Sequence, residues 1–401
     1  ASQIHWLARP HIFSLLMMVV WYRILDDYQY RGKDRLFWLP VMMLPWVNLH
    51  GGYLAGFILA GIYCAGNFLT SFGASTGDSA VSRGKSFKLF KISLLALFAS
   101  LANPIGYKIL LFPFKLTRDK YVMDHVQEFL PPNFHDPIFF KYLFLLSIGL
   151  LAFSRKRLNL IELMLLLLFT YMSLFSFRYV PLFALIIAPI LLLRADDLFT
   201  SATGGIAGFL RQRADSFAAT EALARGILWP VAACILASVV LAASNVEYSF
   251  DEKKKPVAAV EFLKKEQITG NMFNDDEFGD YLIYSVWPQY HVFIDGRLDM
   301  YGAERIKEYK KMREIETGWQ EVVKKYDIDW IFFEAKSALS RFLLAAGGWR
   351  LIYADRVAHI FVKDIPKYQP LIKKYADVKP LPEEPDSDKQ SEGGKINLKI
   401  F

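Results

Sequence analysis

Arg9, His11, Asn48, His50, Glu128 and Arg178 stand at the edges of long apolar stretches, where an ionisable or hydrogen-bonding side chain is costly unless it has a use. Together they supply a planar guanidinium fork suited to phosphate oxygens, imidazoles and an amide for directed hydrogen bonds, and a carboxylate acceptor. Asn103, His135 and Asp136 extend the set. The densest stretch is Pro45-Trp46-Val47-Asn48-Leu49-His50-Gly51-Gly52-Tyr53, polar in the middle and apolar on both sides. Its two glycines let a headgroup approach the backbone while Asn48 and His50 hydrogen-bond it, or they let helices pack closely. Arg178 lies between two apolar blocks, where it either clamps a phosphate or snorkels to lipid headgroups. Histidines and carboxylates on one face also make a divalent metal possible, although no pair has His-x-x-x-His spacing; no cofactor is otherwise implied.

In the second half the densest polar clusters are Asn274-Asp275-Asp276-Glu277-Phe278-Gly279-Asp280 and Phe293-Ile294-Asp295-Gly296-Arg297-Leu298-Asp299-Met300-Tyr301. Carboxylates at the carboxyl end of a strand are common in α/β sites, but Asp295-Gly296 equally reads as a turn with Arg297 as its ion-pair partner. No phosphate-binding glycine loop, nucleophile elbow or zinc signature is present.

These residues are carried by two kinds of chain. Of 401 residues, 54% are hydrophobic and 15% aromatic, more than one soluble domain of that length can bury. The apolar residues fall in blocks of about 13 to 20 up to about Ser244, and charges are interspersed thereafter. The expected fold is therefore an α-helical polytopic membrane domain of about eight spans over 1–245, followed by a small α/β soluble domain over 246–375 and a mobile tail over 376–401. The spans fall near 10–25, 36–49, 52–70, 88–102, 138–153, 160–176, 179–193 and 226–244.

The net charge of +7 does not call for nucleic acid, because Lys and Arg collect in cytoplasmic loops of membrane proteins. One set of loops carries Arg23, Arg31, Lys33, Arg35, Arg83, Lys85, Lys88, Lys91, Arg155, Lys156, Arg157, Arg194, Arg211, Arg213 and Arg225; the other holds only Arg9, Lys108, Lys115, Arg118, Lys120, Lys141 and Arg178. The richer side reads as cytoplasmic. That places the Asn48–Tyr53 turn, the 103–137 loop, Arg178 and everything after 245 on the outer side of the membrane. Within 103–137, residues 107–114 suit a helix along the interface and 127–137 an irregular loop with three prolines. In the soluble part, strands are expected at 271–274, 291–295 and 329–334, a hairpin at 349–354 and 358–363, and helices at 257–266, 303–311 and 319–325. Cys64 and Cys234 both lie in apolar blocks, so no disulfide framework is implied.

Ala8-Arg9-Pro10-His11-Ile12-Phe13-Ser14, Trp46-Val47-Asn48-Leu49-His50-Gly51-Gly52, Ala102-Asn103-Pro104-Ile105-Gly106, Glu128-Phe129-Leu130-Pro131-Pro132-Asn133-Phe134 and Phe293-Ile294-Asp295-Gly296-Arg297 together resemble bacterial C-type membrane glycosyltransferases related to dolichyl-phosphate-mannose protein mannosyltransferases. The resemblance implies transfer of a sugar from a polyprenyl-phosphate donor to an acceptor on the outer face. It implies a phosphate clamp at Arg178 and Arg9, acceptor-side contacts at Asn48, His50 and Glu128, and a catalytic carboxylate in a loop that would precede Ala1. The partners expected are the lipid-linked donor, membrane lipids and other membrane subunits. The alternative is a non-catalytic membrane subunit that scaffolds a complex through its outer domain. A transporter is disfavoured by the near absence of intramembrane charge and of an internal repeat.

Overall fold

The computed structural model describes residues 10–73, 76–200, 205–224, 226–243 and 250–382. The chain divides into two compact units, Ala1–Leu223 and Ala224–Phe401. The first is helical throughout: α1 (His11–Arg31), α2 (Trp38–Leu49), α3 (Leu54–Gly73), α4 (Thr76–Ala99), α5 (Lys108–Arg118), α6 (Lys120–His125), α7 (Phe139–Phe153), α8 (Leu160–Phe175), α9 (Val180–Thr200) and α10 (Gly205–Leu223). The second comprises α11 (Leu228–Ala243), α12 (Val257–Glu266), β1 (Asn271–Asn274), α13 (Asp276–Val286), α14 (Leu298–Arg313), α15 (Trp319–Lys325), β2 (Ile328–Glu334), α16 (Ala338–Ala345), β3 (Trp349–Ala354), β4 (Ala358–Lys363) and α17 (Gln369–Lys374).

The apolar blocks of the first half do become helices, but not eight membrane-length ones. Two helical stretches are long and apolar enough to cross a bilayer, Gly51–Gly73 and Phe177–Leu198, or three if the bent pair Arg211–Leu223 and Leu228–Ala242 forms one span. The reason is length and charge. Helices α2, α7 and α8 have 12, 15 and 16 residues, which at ~1.5 Å per residue falls short of a ~30 Å hydrocarbon core. α1 carries Arg23, Asp26 and Asp27, and α4 carries Arg83, Lys85, Lys88 and Lys91.

The core of the first unit is built around α3, whose small residues admit neighbours to the backbone. A Cβ on Gly56 would lie 2.9 Å from the Trp46 ring and 3.0 Å from that of Trp21, and one on Gly66 would lie 2.5 Å from Ile161. Trp21 and Trp46 meet edge to face at 5.6 Å and are fully buried. Outward faces stay apolar too: Phe87, Phe90, Leu95 and Phe98 on α4, Leu145 and Leu146 on α7, and Leu167 and Tyr171 on α8 are exposed. Helices apolar all round are characteristic of lipid-facing bundles. In α11 every described side chain from Leu228 to Ala242 is exposed, although the helix is almost wholly apolar.

One interior ion pair offsets the cost of charge in this unit. Arg194, counted from sequence among loop residues, is only 1% exposed and donates to both carboxylate oxygens of Glu162, at 2.9 and 2.5 Å. It also donates to the carbonyls of Ile190 and Arg157. Glu162 sits in the first turn of α8, where Asn159 and Glu162 close a reciprocal capping box. The amino end of α8 thus favours the Glu162 carboxylate, which with the two carbonyls supplies the lone pairs that a buried guanidinium needs.

In the second unit the four strands run in the order β1-β2-β4-β3, with β1 parallel to β2 and the other pairs antiparallel. Alternate residues of β2 feed two cores. Trp330 and Phe332 join Met272, Leu282 and Ile360 on one face, while Ile331 and Phe333 join Phe273, Trp319 and Phe361 on the other. Helices cover both faces, which is why this strand reads as an unbroken apolar run. The expected strand over 291–295 is not one. Its backbone is held by a side chain: Asn274 accepts from the Phe293 amide at 2.7 Å and donates to the Ile294 carbonyl at 2.8 Å. The expected mobile tail lies, from residue 383 onward, outside the described residues.

Replacing Glu162 by Ala leaves Arg194 buried without a counter-charge and is expected to destabilise the first unit by about 3–5 kcal/mol. A paired Glu162→Met, Arg194→Met variant should recover most of that loss. Thermal unfolding in detergent micelles measures both.

Candidate functional site

The site is built where the amino end of α1, the carboxyl end of α2 and the 3₁₀ turn Gly51–Tyr53 meet. Ser14, on the face of α1 one turn beyond His11, reaches the imidazole of His50, its Oγ 2.8 Å from Nδ1. The Trp46 indole N–H donates to the same Ser14 Oγ at 2.8 Å, and the Gly52 amide donates to His50 Nδ1 at 3.0 Å. These partners fix the proton pattern. The amide and the indole can only donate, so Ser14 turns its hydroxyl proton toward Nδ1, and His50 carries its own proton on Nε2. His50 is thereby presented as a neutral Nε2–H donor.

Gly52 is obligatory in this arrangement. A Cβ there would lie 2.5 Å from Ser14 Oγ and 2.9 Å from His50 Nδ1, whereas a Cβ on Gly51 would meet nothing within 4 Å. Close packing thus accounts for the second glycine, and the first leaves open space.

Arg178 and Glu128 arrive on two further 3₁₀ turns, Phe177–Tyr179 and Gln127–Phe129. Two hydrogen bonds clip these turns together: Ser176 Oγ donates to the Glu128 carbonyl and the Phe177 amide to the Leu130 carbonyl, each at 2.9 Å. Arg178 then lies 3.9 Å from the Glu128 carboxylate and 5.3 Å over the Phe129 ring. At that separation the ion pair is loose and part-exposed, worth about 0–1 kcal/mol. The His11 ring lies 6.3 Å from that of His50, edge to face. Burial, the Arg178 guanidinium and His11 together push the His50 imidazole down to about 4, with Glu128 acting weakly in the other direction.

The structure therefore brings together His11, His50, Glu128 and Arg178. Asn48 is committed elsewhere, its amide donating to the Leu44 and Ala102 carbonyls at 2.8 and 2.9 Å, so it fastens the end of α2 to the loop that follows α4. Arg9 lies outside the described residues. Asn103 closes its own turn through Ser100, Ile105 and Gly106, and the His135 amide donates to Asn133. Sequence reasoning missed Ser14 and Trp46. The available signal was a serine three residues after His11, followed by the apolar run Leu15-Leu16-Met17-Met18-Val19-Val20, one turn along the same face. Among the described residues no group of three or more His, Cys, Asp or Glu is placed to hold a metal ion.

In the second unit the two acidic clusters turn out to fit each other. Asp295 is fully buried and accepts from the Arg297 backbone amide at 2.8 Å, from the Arg297 guanidinium and from the Tyr301 hydroxyl at 2.9 Å. Its carboxyl is held below the usual range because these hydrogen bonds outweigh the opposing effect of burial. Asp275 caps α13 by accepting from the Glu277 amide, and burial beside Asp276 pushes its carboxyl up to about 7. Gly279 passes so close to the Ile294 carbonyl and Asp295 that no side chain fits. The Asn274–Asp280 and Phe293–Tyr301 stretches are thus one interlocked turn structure.

A histidine titrating near 6.5 unfolded and near 4 folded binds a proton in the unfolded chain first. Its stabilising contribution is complete above about 6.5 and is lost as pH falls toward 4. Thermal unfolding followed against pH should show this loss in the parent and a flatter profile between these limits in His50→Asn. Ser14→Ala, which removes a donor to Nδ1, should raise the His50 titration midpoint observed by NMR. The chain matches no known protein family and no curated protein sequence.

Proposed function

We propose that the first unit is a multi-pass membrane unit and that the His50 end binds the phosphate of a polyprenyl-phosphate-linked sugar on the outer face of a bacterial inner membrane. The observation that carries this reading is the convergence of Arg178, His11 and a neutral, half-buried His50 on one end of an otherwise apolar bundle. The membrane character is supported by the apolar outward faces of α4, α7 and α8 and by α11, whose exposed apolar side chains need lipid. Short helices such as α2, α7 and α8 complete the bundle where the bilayer thins around them or they tilt little. The loop charge bias supports placing this end, and the second unit, outside the cytoplasm.

The chemistry follows from the donors. An acceptor hydroxyl gives its proton to a carboxylate base as its oxygen bonds to the anomeric carbon. The bond from that carbon to the phosphate oxygen breaks, and the lipid phosphate leaves with the electron pair. Arg178 and the His50 Nε2–H stabilise the charge that develops on the departing phosphate. Glu128 is the carboxylate carried beside Arg178; as the phosphate draws the guanidinium away, Glu128 is released to accept a hydrogen bond from the acceptor. The scaffolding alternative predicts no dependence of any transfer reaction on these groups.

Arg178→Ala is expected to abolish sugar transfer while leaving the unfolding temperature within a few degrees of the parent. Unchanged turnover removes Arg178 from the site. Topology has its own check: in a His291→Cys variant lacking Cys64 and Cys234, a membrane-impermeant maleimide should label intact spheroplasts, and labelling only after lysis overturns the orientation.

A further inference from the structure

The second unit contains a groove of about 550 Å³ that none of the chemistry above uses. That volume lies within the range of roughly 300–1,000 Å³ typical of small-molecule sites. Its walls are two backbone segments, 267–272 and 289–293, with Arg305, Tyr326 and Ile328 at the base. Both walls are pinned. The Trp330 indole donates to the Gly270 carbonyl at 3.0 Å and the Tyr368 hydroxyl to the Thr269 carbonyl, while Asn274 holds Phe293 and Tyr290 donates to the Leu263 carbonyl.

The charge pattern selects the ligand. Arg305 and His291 line the groove and no Asp or Glu does. The Arg305 guanidinium packs against the Phe293 and Tyr326 rings, 4.4 and 4.2 Å from their centroids; the two rings meet edge to face at 5.1 Å, so both lie on one side of it, and among the described residues it makes no ion pair. Glu304 and Glu308, the nearest carboxylates along α14, are taken up by Lys325, and Glu308 also by the Tyr326 hydroxyl. A guanidinium held against aromatic rings on one side keeps N–H groups available on the other, where they match a carboxylate or phosphate. Gln267 and Gln289 also line the groove and make no side-chain hydrogen bond among the described residues. Amides and aromatic faces around one guanidinium suit a sugar bearing an acidic group.

We infer that this groove is a binding site for a sugar-sized anion, a uronic acid or a sugar phosphate, held through Arg305. The inference rests on the second unit alone and stands apart from the membrane reading. The test uses the full chain in detergent with three probes: glucuronate, glucose 6-phosphate and uncharged glucose. At least one acidic sugar should bind at least tenfold more tightly than glucose by calorimetry and should protect segments 267–272 and 289–293 from hydrogen–deuterium exchange. Which acidic sugar binds more tightly identifies the carboxylate or the phosphate as the natural group. Arg305→Gln should erase the preference over glucose and the protection of both segments. Equal binding of glucose, absence of protection in both segments, or a preference retained in Arg305→Gln overturns the inference. The comparison of the three sugars on the unaltered chain decides the matter even where the variant does not fold.

Discussion

The first unit depends on one close approach, that of α1 to the backbone at Gly52. With no Cβ in the way, Ser14 sits against the turn and can accept from Trp46 while donating to His50. α1 is thereby joined across 32 and 36 residues to α2 and the turn that follows it, by hydrogen bonds that water would otherwise contest. In an apolar bundle each bond also removes the cost of an unsatisfied polar group, a larger penalty than the net worth of a hydrogen bond in water. The same contact sets the chemistry, since the two donors that converge on Nδ1 leave the imidazole proton on Nε2. The tightness of packing and the tautomer of His50 are therefore one fact seen from two sides.

Much of this was legible in the residues. The apolar blocks mark where helices run, and the Asn48–Tyr53 stretch marks a turn between two of them, because glycine and polar residues interrupting an apolar run leave few other structures. The lengths were harder to read. Pro45 lies inside α2 without ending it, and the charges of α1 and α4 sit within helices rather than loops. Asn48 looked like a ligand group because composition cannot distinguish an amide offered to a substrate from one spent on two backbone carbonyls. The stretch 291–295 looked like a strand for the opposite reason. Its apolar alternation is real and Phe293 and Ile294 are buried, but the backbone partners come from the Asn274 side chain and not from a neighbouring strand.

Arg194 illustrates a limit of loop-charge counting. An arginine at the end of an apolar block reads as a loop cation, yet here it is enclosed between Glu162 and two carbonyls. The count still assigns it to the same end of the bundle, because Arg157, whose carbonyl it meets, belongs to the same set of basic residues. What changes is its role: it ties the start of α8 to the end of α9. Those are also the two helices whose opposite ends carry Ser176 and Arg178, so the buried pair at one end helps hold the geometry at the other.

The neutral state of His50 bears on how an anion would be handled. A doubly positive pair of His50 and Arg178 would hold a lipid phosphate tightly before and after reaction alike, and uniform tightness does not accelerate a chemical step. A neutral Nε2–H donor contributes a directed hydrogen bond whose strength grows as negative charge accumulates on the leaving oxygen. Burial and the neighbouring cation, which keep His50 neutral, are also what an arriving phosphate would partly offset, since its charge favours the imidazolium. On the proposed reading, affinity would increase with the charge the site is asked to stabilise, which is the property that separates a transfer site from a lipid-headgroup anchor.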